Sequence, residues 1–297
     1  MKPIMIFNVL FVFIGLLNAP AAKAQEATPK EITIGVIPFG DKAVLKRGAF
    51  QIAKILQSEL NIPINIYLPK TYGSLIQAVK EKKVDFAFLT AASYVAAEKD
   101  AKIQVLLKRV WSEPFYYSLI LTSKNSDIKK VEDLKGKRIA FVDTKSTSGF
   151  LYPQVMFKKK GWNDKTFKEI KFTGGHSESV ALLEQKGTDA IAVFGDDIEG
   201  KTNAWTKFSK EQKSDGVRVI WHSDPIPNDP FCVRQEFYDL YPKVVHTLMF
   251  KLIDAVETLK ENKDVVMVVG AKGFLPATSR QYDPVRELVK ELGVQSE

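Results

Sequence analysis

Apolar residues along this chain alternate between two spacings. Short unbroken runs occupy residues 32–38 (ITIGVIP), 64–68 and 84–89 (VDFAFL), and between them residues 49–60 and 72–82 carry apolar positions at helical spacing. The short runs read as buried strands and the 3.6-period stripes as helices, so the strand, helix, strand succession predicts parallel α/β structure. Strands at 105–110 and 116–122 (YYSLILT) follow. The unit then restarts, with a short helix at 131–134, a strand at 138–142, a helix from 149 to 160, a strand at 170–172, a helix at 177–186 and a strand at 190–194. A second α/β lobe is the economical reading.

After a strand at 217–221, residues 224–230 (DPIPNDP) place three prolines within seven positions. Proline has no N–H to give to a helix or a central strand, so this segment is expected to be a strap crossing between lobes. Beyond it, residues 237–260 put Leu240, Val244, Leu248, Leu252, Val256 and Leu259 on one helical stripe, and a last helix is expected at 284–292. Such stripes are read as core packing.

Composition narrows the class. The 297 residues are 45% hydrophobic with a single cysteine, which excludes a disordered tail protein, a disulfide-stapled miniprotein and a multi-span membrane protein. At the N-terminus, Met1-Lys2 precedes an apolar run over 4–17 and then Ala22-Lys23-Ala24, the pattern of a signal peptide cleaved after Ala24. No cysteine follows that run, so a lipoprotein anchor is not expected. The exported chain is expected in the periplasm, and with Cys232 alone it forms no internal disulfide. The three histidines, His176, His222 and His246, match no zinc motif, so neither metal nor cofactor is expected. The formal charge of +8 invites a nucleic-acid reading. Part of it, however, is leader sequence (Lys2 and Lys23), and the lysine runs 80–83 and 158–160 fall at expected helix C-termini, where cations favour the helix dipole. No nucleic-acid partner is expected.

Four places carry chemistry. At 143–153 (DTKSTSGFLYP) a strand feeds a helix through Ser146, Thr147 and Ser148 ahead of Gly149. Hydroxyls and free N–H groups at a helix start suit a tetrahedral anion; plain N-capping is the other reading, although capping uses a single hydroxyl. Gly174-Gly175-His176 forms a strand-to-helix turn with an imidazole at a helix start, which is either a structural group or a ligand contact. Asp196 follows a strand and Asp229 lies within the proline strap. Acids beside an anion repel it unless they accept its proton or pair with a ligand cation, which would make them selectivity elements. Finally, 195–202 (GDDIEGKT) matches the phosphate-loop pattern literally. Asp196, Asp197 and Glu199 would oppose nucleotide phosphates there, so the match is read as chance. A Ser148, His176, Asp229 triad lacks the G-x-S-x-G elbow, which leaves hydrolysis without sequence support.

These motifs together resemble the phosphate, phosphite and phosphonate substrate-binding proteins of ABC importers. The resemblance runs through ITIGVIP, Tyr72 with its helix before VDFAFL, STSGFLYP, GGH, WHSDPIPNDP and GFLPAT, followed by Tyr282, Pro284, Val285 and Arg286. It implies a two-lobe α/β periplasmic binding fold, type II-like, with two crossing hinge segments. The implied layout is a first lobe over 25–122, a second over 123–222, and a return to the first over 223–297. It further implies an anion clamp of Tyr72, Tyr116, Ser146, Thr147 and Ser148 that uses no Arg or Lys, with Thr90 adding a contact and His176 and Asp229 meeting the remaining oxygen or substituent. Where an aminophosphonate-binding member has Glu, this chain has the shorter Asp196, so reach to a ligand amine is not implied. The expected function is capture of a small phosphorus oxyanion by lobe closure and delivery by a monomer to a membrane ABC permease, without catalysis. A ligand-sensing subunit for a signalling kinase and a secreted hydrolase using Ser148 and His176 are the alternatives.

Overall fold

The computed structural model describes residues 28–269 and 273–293. The expected leader lies outside them. Four strands open the first sheet: β1 (Ile32–Val36), β2 (Ile64–Tyr67), β3 (Phe86–Phe88) and β4 (Ile103–Arg109). The second sheet takes β5 (Phe115–Ser123), β6 (Arg138–Phe141), β7 (Glu169–Phe172), β8 (Ala190–Gly195), β9 (Val217–His222) and β10 (Ile226–Pro227), before β11 (Pro230–Arg234) and β12 (Phe274–Pro276) return to the first. The strand orders are β12-β4-β11-β3-β1-β2 and β10-β5-β8-β6-β7, with β9 also paired to β5. Within each sheet the β1/β2/β3 and β7/β6/β8 neighbours are parallel.

Helices follow the strands as the periodicity requires: α1 (Lys42–Leu60), α2 (Tyr72–Lys80) and α3 (Ala91–Ala101) in the first lobe, then α4 (Tyr152–Lys159), α5 (His176–Glu184) and α6 (Ala204–Phe208) in the second. The chain ends in α7 (Gln235–Leu240), α8 (Pro242–Leu259), α9 (Lys263–Val269) and α10 (Asp283–Leu292). The first core packs Ile32, Ile34, Leu45, Ile52, Leu75, Phe86, Phe88 and Phe231 with Leu248 and Leu252 of α8. Two further clusters cover the faces of the second sheet, one around Phe141 and Phe157 and the other around Leu119, Val180 and Val193.

Several expectations change. The strand at 116–122 was expected to close the first lobe, but β5 bonds to β8, β9 and β10 in the second sheet. The outward crossing is therefore 110–114 rather than 122–123, and the return is 228–229 rather than 222–223. The two crossings lie side by side: Arg109 N–H donates to the Asp229 carbonyl at 3.0 Å, and Asn228 Nδ2 donates to the Glu113 carbonyl at 2.6 Å. The proline strap does carry strand. Ile226–Pro227 pairs at the end of β5, and Pro230 opens β11, which lies centrally between β3 and β4. A first-residue proline is the one position where a central strand loses no ladder bond it needs. Helix α3 escaped the pattern because alanines line much of it, and the 237–260 stripe breaks at Tyr241-Pro242, leaving Leu240 exposed.

Candidate functional site

The parallel strands of both lobes end facing one another, where ligands of open α/β sheets bind. Helices start at these ends. Thr71 caps α2 so that Tyr72 is its first residue, and Thr90 caps α3 by accepting the Ser93 N–H at 3.1 Å. In the second lobe Ser146 accepts the Gly149 N–H at 3.1 Å and opens a π-helical turn, Thr147–Leu151, that runs into α4. Gly175 precedes α5 and makes His176 its first residue. Local sequence enforces these turns. Gly174 holds φ +85°, and a side chain on Gly149 would put its Cβ 2.4 Å from Val142 Cγ2.

One cavity lies between these helix starts, with about 40 Å³ open to the centres of water molecules, enough to admit a small ligand. Its lining includes all nine residues singled out above: Tyr72, Thr90, Tyr116, Ser146, Thr147, Ser148, His176, Asp196 and Asp229. It also includes Arg109, Lys207, Trp111, Phe194 and Phe39, which sequence reasoning did not select.

The hydroxyls divide by task. Ser146 is a true cap, whereas the Thr147 Oγ1 accepts the Ala92 N–H across the cleft at 2.8 Å, which leaves its own proton to donate. Ser148 is positioned through its carbonyl, which accepts from Ser118 Oγ at 2.6 Å. As the first residues of a helix, Thr147 and Ser148 have N–H groups without an intrahelical acceptor. The Tyr72 hydroxyl and the His176 Nδ1 are buried without a hydrogen-bond partner among the described residues. Arg109 Nε is a third such atom on the cavity lining. Orphaned buried polar atoms are rare in folded proteins, and three around one cavity, from both lobes, point to a ligand-contacting surface.

The electrostatics differ from the expected cation-free clamp. Arg109 is 1% exposed and its Nη2 lies 2.5 Å from Asp229 Oδ2, with its guanidinium 5.0 Å from the centre of the Phe39 ring. Lys207 Nζ lies 3.1 Å from Asp196 Oδ2. Each acid therefore has an ion-pair partner from the chain itself, which corrects the expectation of a site without Arg or Lys. Burial pushes the Asp229 carboxyl above its ordinary range, against the pull of Arg109. Tyr116 donates to its other oxygen at 3.4 Å. Burial, helped by the charge on Lys207, pushes His176 down to about 3, so the imidazole is neutral at pH 7. Burial raises both Tyr72 and Tyr116, which remain protonated donors.

The segment 195–202 is a self-capped turn. Asp197 accepts the N–H groups of Lys201 at 3.0 Å and Thr202 at 2.8 Å, so the backbone donors a phosphate loop would offer are consumed within it. Among the described residues no group of three or more His, Cys, Asp or Glu is arranged to hold a metal, and no helix is long and apolar enough to cross a membrane.

Two α/β lobes joined by paired crossings, with a polar cavity at their facing strand ends, define a two-lobe solute-binding protein. Residues 34–282 match the family described as the periplasmic substrate-binding protein of phosphonate ABC transporters, and the chain belongs to that family. It is a periplasmic solute-binding protein of an ABC importer. It is 27% identical over 98% of its length to the phosphonates-binding periplasmic protein of Escherichia coli K12, covering 85% of that protein. To the phosphate-import protein PhnD of Mycolicibacterium smegmatis it is 26% identical, over 93% of this chain and 90% of that one. The structure of PhnD1 from Prochlorococcus marinus in complex with methylphosphonate superposes with a TM-score of 0.76 at 21% identity, over 90% of this chain and 99% of that one.

Proposed function

We propose that this protein captures a small phosphorus oxyanion, a phosphonate, phosphite or phosphate, between its lobes and presents the closed form to a membrane permease. The observation that carries this reading is the convergence on one small cavity of a helix start with free N–H groups at Thr147 and Ser148 and the unpartnered Tyr72 hydroxyl and His176 Nδ1. Phosphoryl oxygens accept from Tyr72, Ser146, Thr147, Ser148 and the neutral His176, and Thr90 braces the closed edge by donating to the Lys145 carbonyl at 3.2 Å. The Asp229 carboxylate, paired with Arg109, faces the P–OH or the remaining substituent, and Tyr116 positions it. Specificity against sulfate follows, since a fully deprotonated anion offers no proton to that carboxylate.

The same geometry disfavours hydrolysis. No acid orients the His176 Nδ1, and an imidazole held near 3 is a weak base at neutral pH. Delivery to a permease rather than to a signalling kinase follows the importer family. The protein acts as a monomer after signal cleavage at Ala24, and without cofactor or nucleic acid. Trp111 on the cavity wall supplies a reporter: titration of the mature protein with phosphite, methylphosphonate and phosphate is expected to change its fluorescence saturably below millimolar, with no release of inorganic phosphate from a phosphate ester. Saturation by sulfate alone, or turnover lost in Ser148→Ala, would reverse the reading.

A further inference from the structure

The distal wall of the cavity is built around one lysine. Asn203 fixes the start of α6 by accepting the Trp205 and Thr206 N–H groups at 2.7 and 3.2 Å and donating to the Gly200 carbonyl at 2.7 Å. That cap sets where Lys207 leaves the backbone. Its side chain is 18% exposed and that of Asp196 is 9% exposed. The ammonium lies 3.1 Å from the Asp196 carboxylate, 4.1 Å from the centre of the Trp111 ring and 4.8 Å from that of Phe194. One carboxylate and two ring faces are what an aromatic box offers a bound ammonium group. Here the box is filled from within.

We propose, resting on the phosphorus-oxyanion reading above, that Lys207 acts as a built-in occupant of the ammonium position, so that the cavity accepts oxyanions with hydrogen, hydroxyl or short alkyl substituents and rejects aminoalkylphosphonates. Three observations converge on this. Asp196 is neutralised by Lys207, so it neither repels the oxyanion nor seeks a second cation. The cavity's other acid, Asp229, is likewise held by Arg109. The two ring faces are taken as well, by the Lys207 ammonium at 4.1 and 4.8 Å from their centres. A ligand ammonium entering the distal wall would meet Lys207 at close range, and like charges in a partly buried site repel strongly.

The test compares two ligands of nearly equal shape and different charge, 2-aminoethylphosphonate and n-propylphosphonate, with methylphosphonate as reference. Calorimetry on the unmodified protein is expected to give methylphosphonate the tightest binding and propylphosphonate at least tenfold tighter binding than aminoethylphosphonate. Lys207→Ala, which empties the box and frees Asp196, is expected to bind aminoethylphosphonate at least tenfold more tightly than the unmodified protein does. Lys207→Ala/Asp196→Asn leaves no unpaired buried charge and is expected to lose that gain. Equal exclusion of both ligands by the unmodified protein would mean that size alone selects and would overturn the role of Lys207. Aminoethylphosphonate binding as tight as methylphosphonate would overturn it too. If methylphosphonate, phosphite and phosphate all fail to bind while the protein is folded, the phosphorus-oxyanion reading falls first and takes this inference with it.

Discussion

At the cavity wall the proposed binding groups are neutral donors, and Asp196 and Asp229 are paired with cations of the chain itself. A neutral His176 gives a hydrogen bond to an ionised oxygen, which is worth about 1.5–3 kcal/mol. His176→Phe keeps the edge packing on Phe194, whose ring centre lies 4.9 Å away, and is expected to weaken methylphosphonate binding about 10–100-fold with little loss of thermal stability. The same residue makes stability depend on pH. Its folded value, about 3, lies below the ordinary 6.5, so between those limits the unfolded chain binds the extra proton and stability falls as pH falls. Asp229, raised by burial, acts in the opposite sense at acid pH. Melting temperatures measured from pH 7 to pH 4 are therefore expected to drop less steeply for His176→Gln than for the unmodified protein; identical slopes would mean that His176 is not buried neutral. Arg109→Met removes the cation facing Asp229 and is expected to cost about 3 kcal/mol in urea unfolding, the lower end for a broken buried pair because 18% of the Asp229 side chain stays exposed. The hydroxyl run and His176 were legible because residue type and helix-start position carry their chemistry locally. Arg109 and Lys207 were not: a cation at the end of a strand or in a short helix has no local mark, and its partner lies 120 residues away in one case and 11 in the other.

The site is held by elements that begin where strands end, and its accuracy depends on the π-helical turn at 147–151. Gly149 lets that turn approach β6. In Gly149→Ala the new Cβ meets Val142 Cγ2 at 2.4 Å and Ser146 Oγ at 2.8 Å, so the turn must move. Overpacking of this kind costs about 1–3 kcal/mol, and at least a tenfold loss of oxyanion affinity is expected with it; unchanged affinity would mean the Thr147 and Ser148 N–H groups do not contact the ligand. Strand and helix alternation was legible because burial on both faces leaves continuous apolar runs. The failures have physical causes. Alanine gives α3 a flat hydrophobic profile, and the prolines ahead of β11 concealed a central strand whose partners, β3 and β4, are settled only by tertiary pairing. The continuous stripe at 237–260 concealed the break that Pro242 imposes by opening a second helix at its first position.

Across the whole molecule the lobes are latched in a closed arrangement. The Thr90 and Ser93 hydroxyls each donate to the Lys145 carbonyl at 3.2 Å, Ala92 N–H donates to Thr147, and His176 N–H donates to the Phe39 carbonyl at 3.2 Å. Thr90, Thr147, Phe39 and His176 of this set also line the cavity, and Lys158 and Lys159 of α4 bind Glu291 of α10 across the same boundary, so ligand adds to existing contacts between the lobes and shifts the population toward closure. Small-angle scattering is expected to give a smaller radius of gyration with saturating methylphosphonate than without ligand, with the crossings at 110–114 and 228–229 as the hinge. On the proposed reading the overall positive charge serves only for steering at long range, and recognition falls to hydroxyls, N–H groups and a neutral imidazole. The central claim is capture of a phosphorus oxyanion at the Ser146 to Ser148 turn. Isothermal titration calorimetry of the mature protein against methylphosphonate and sulfate, repeated with Thr147→Val, tests it most directly. The account predicts submillimolar methylphosphonate binding, at least a tenfold weaker response to sulfate and a marked loss in the variant; equal affinity for the two anions, or a variant that binds as well as the parent, would contradict it.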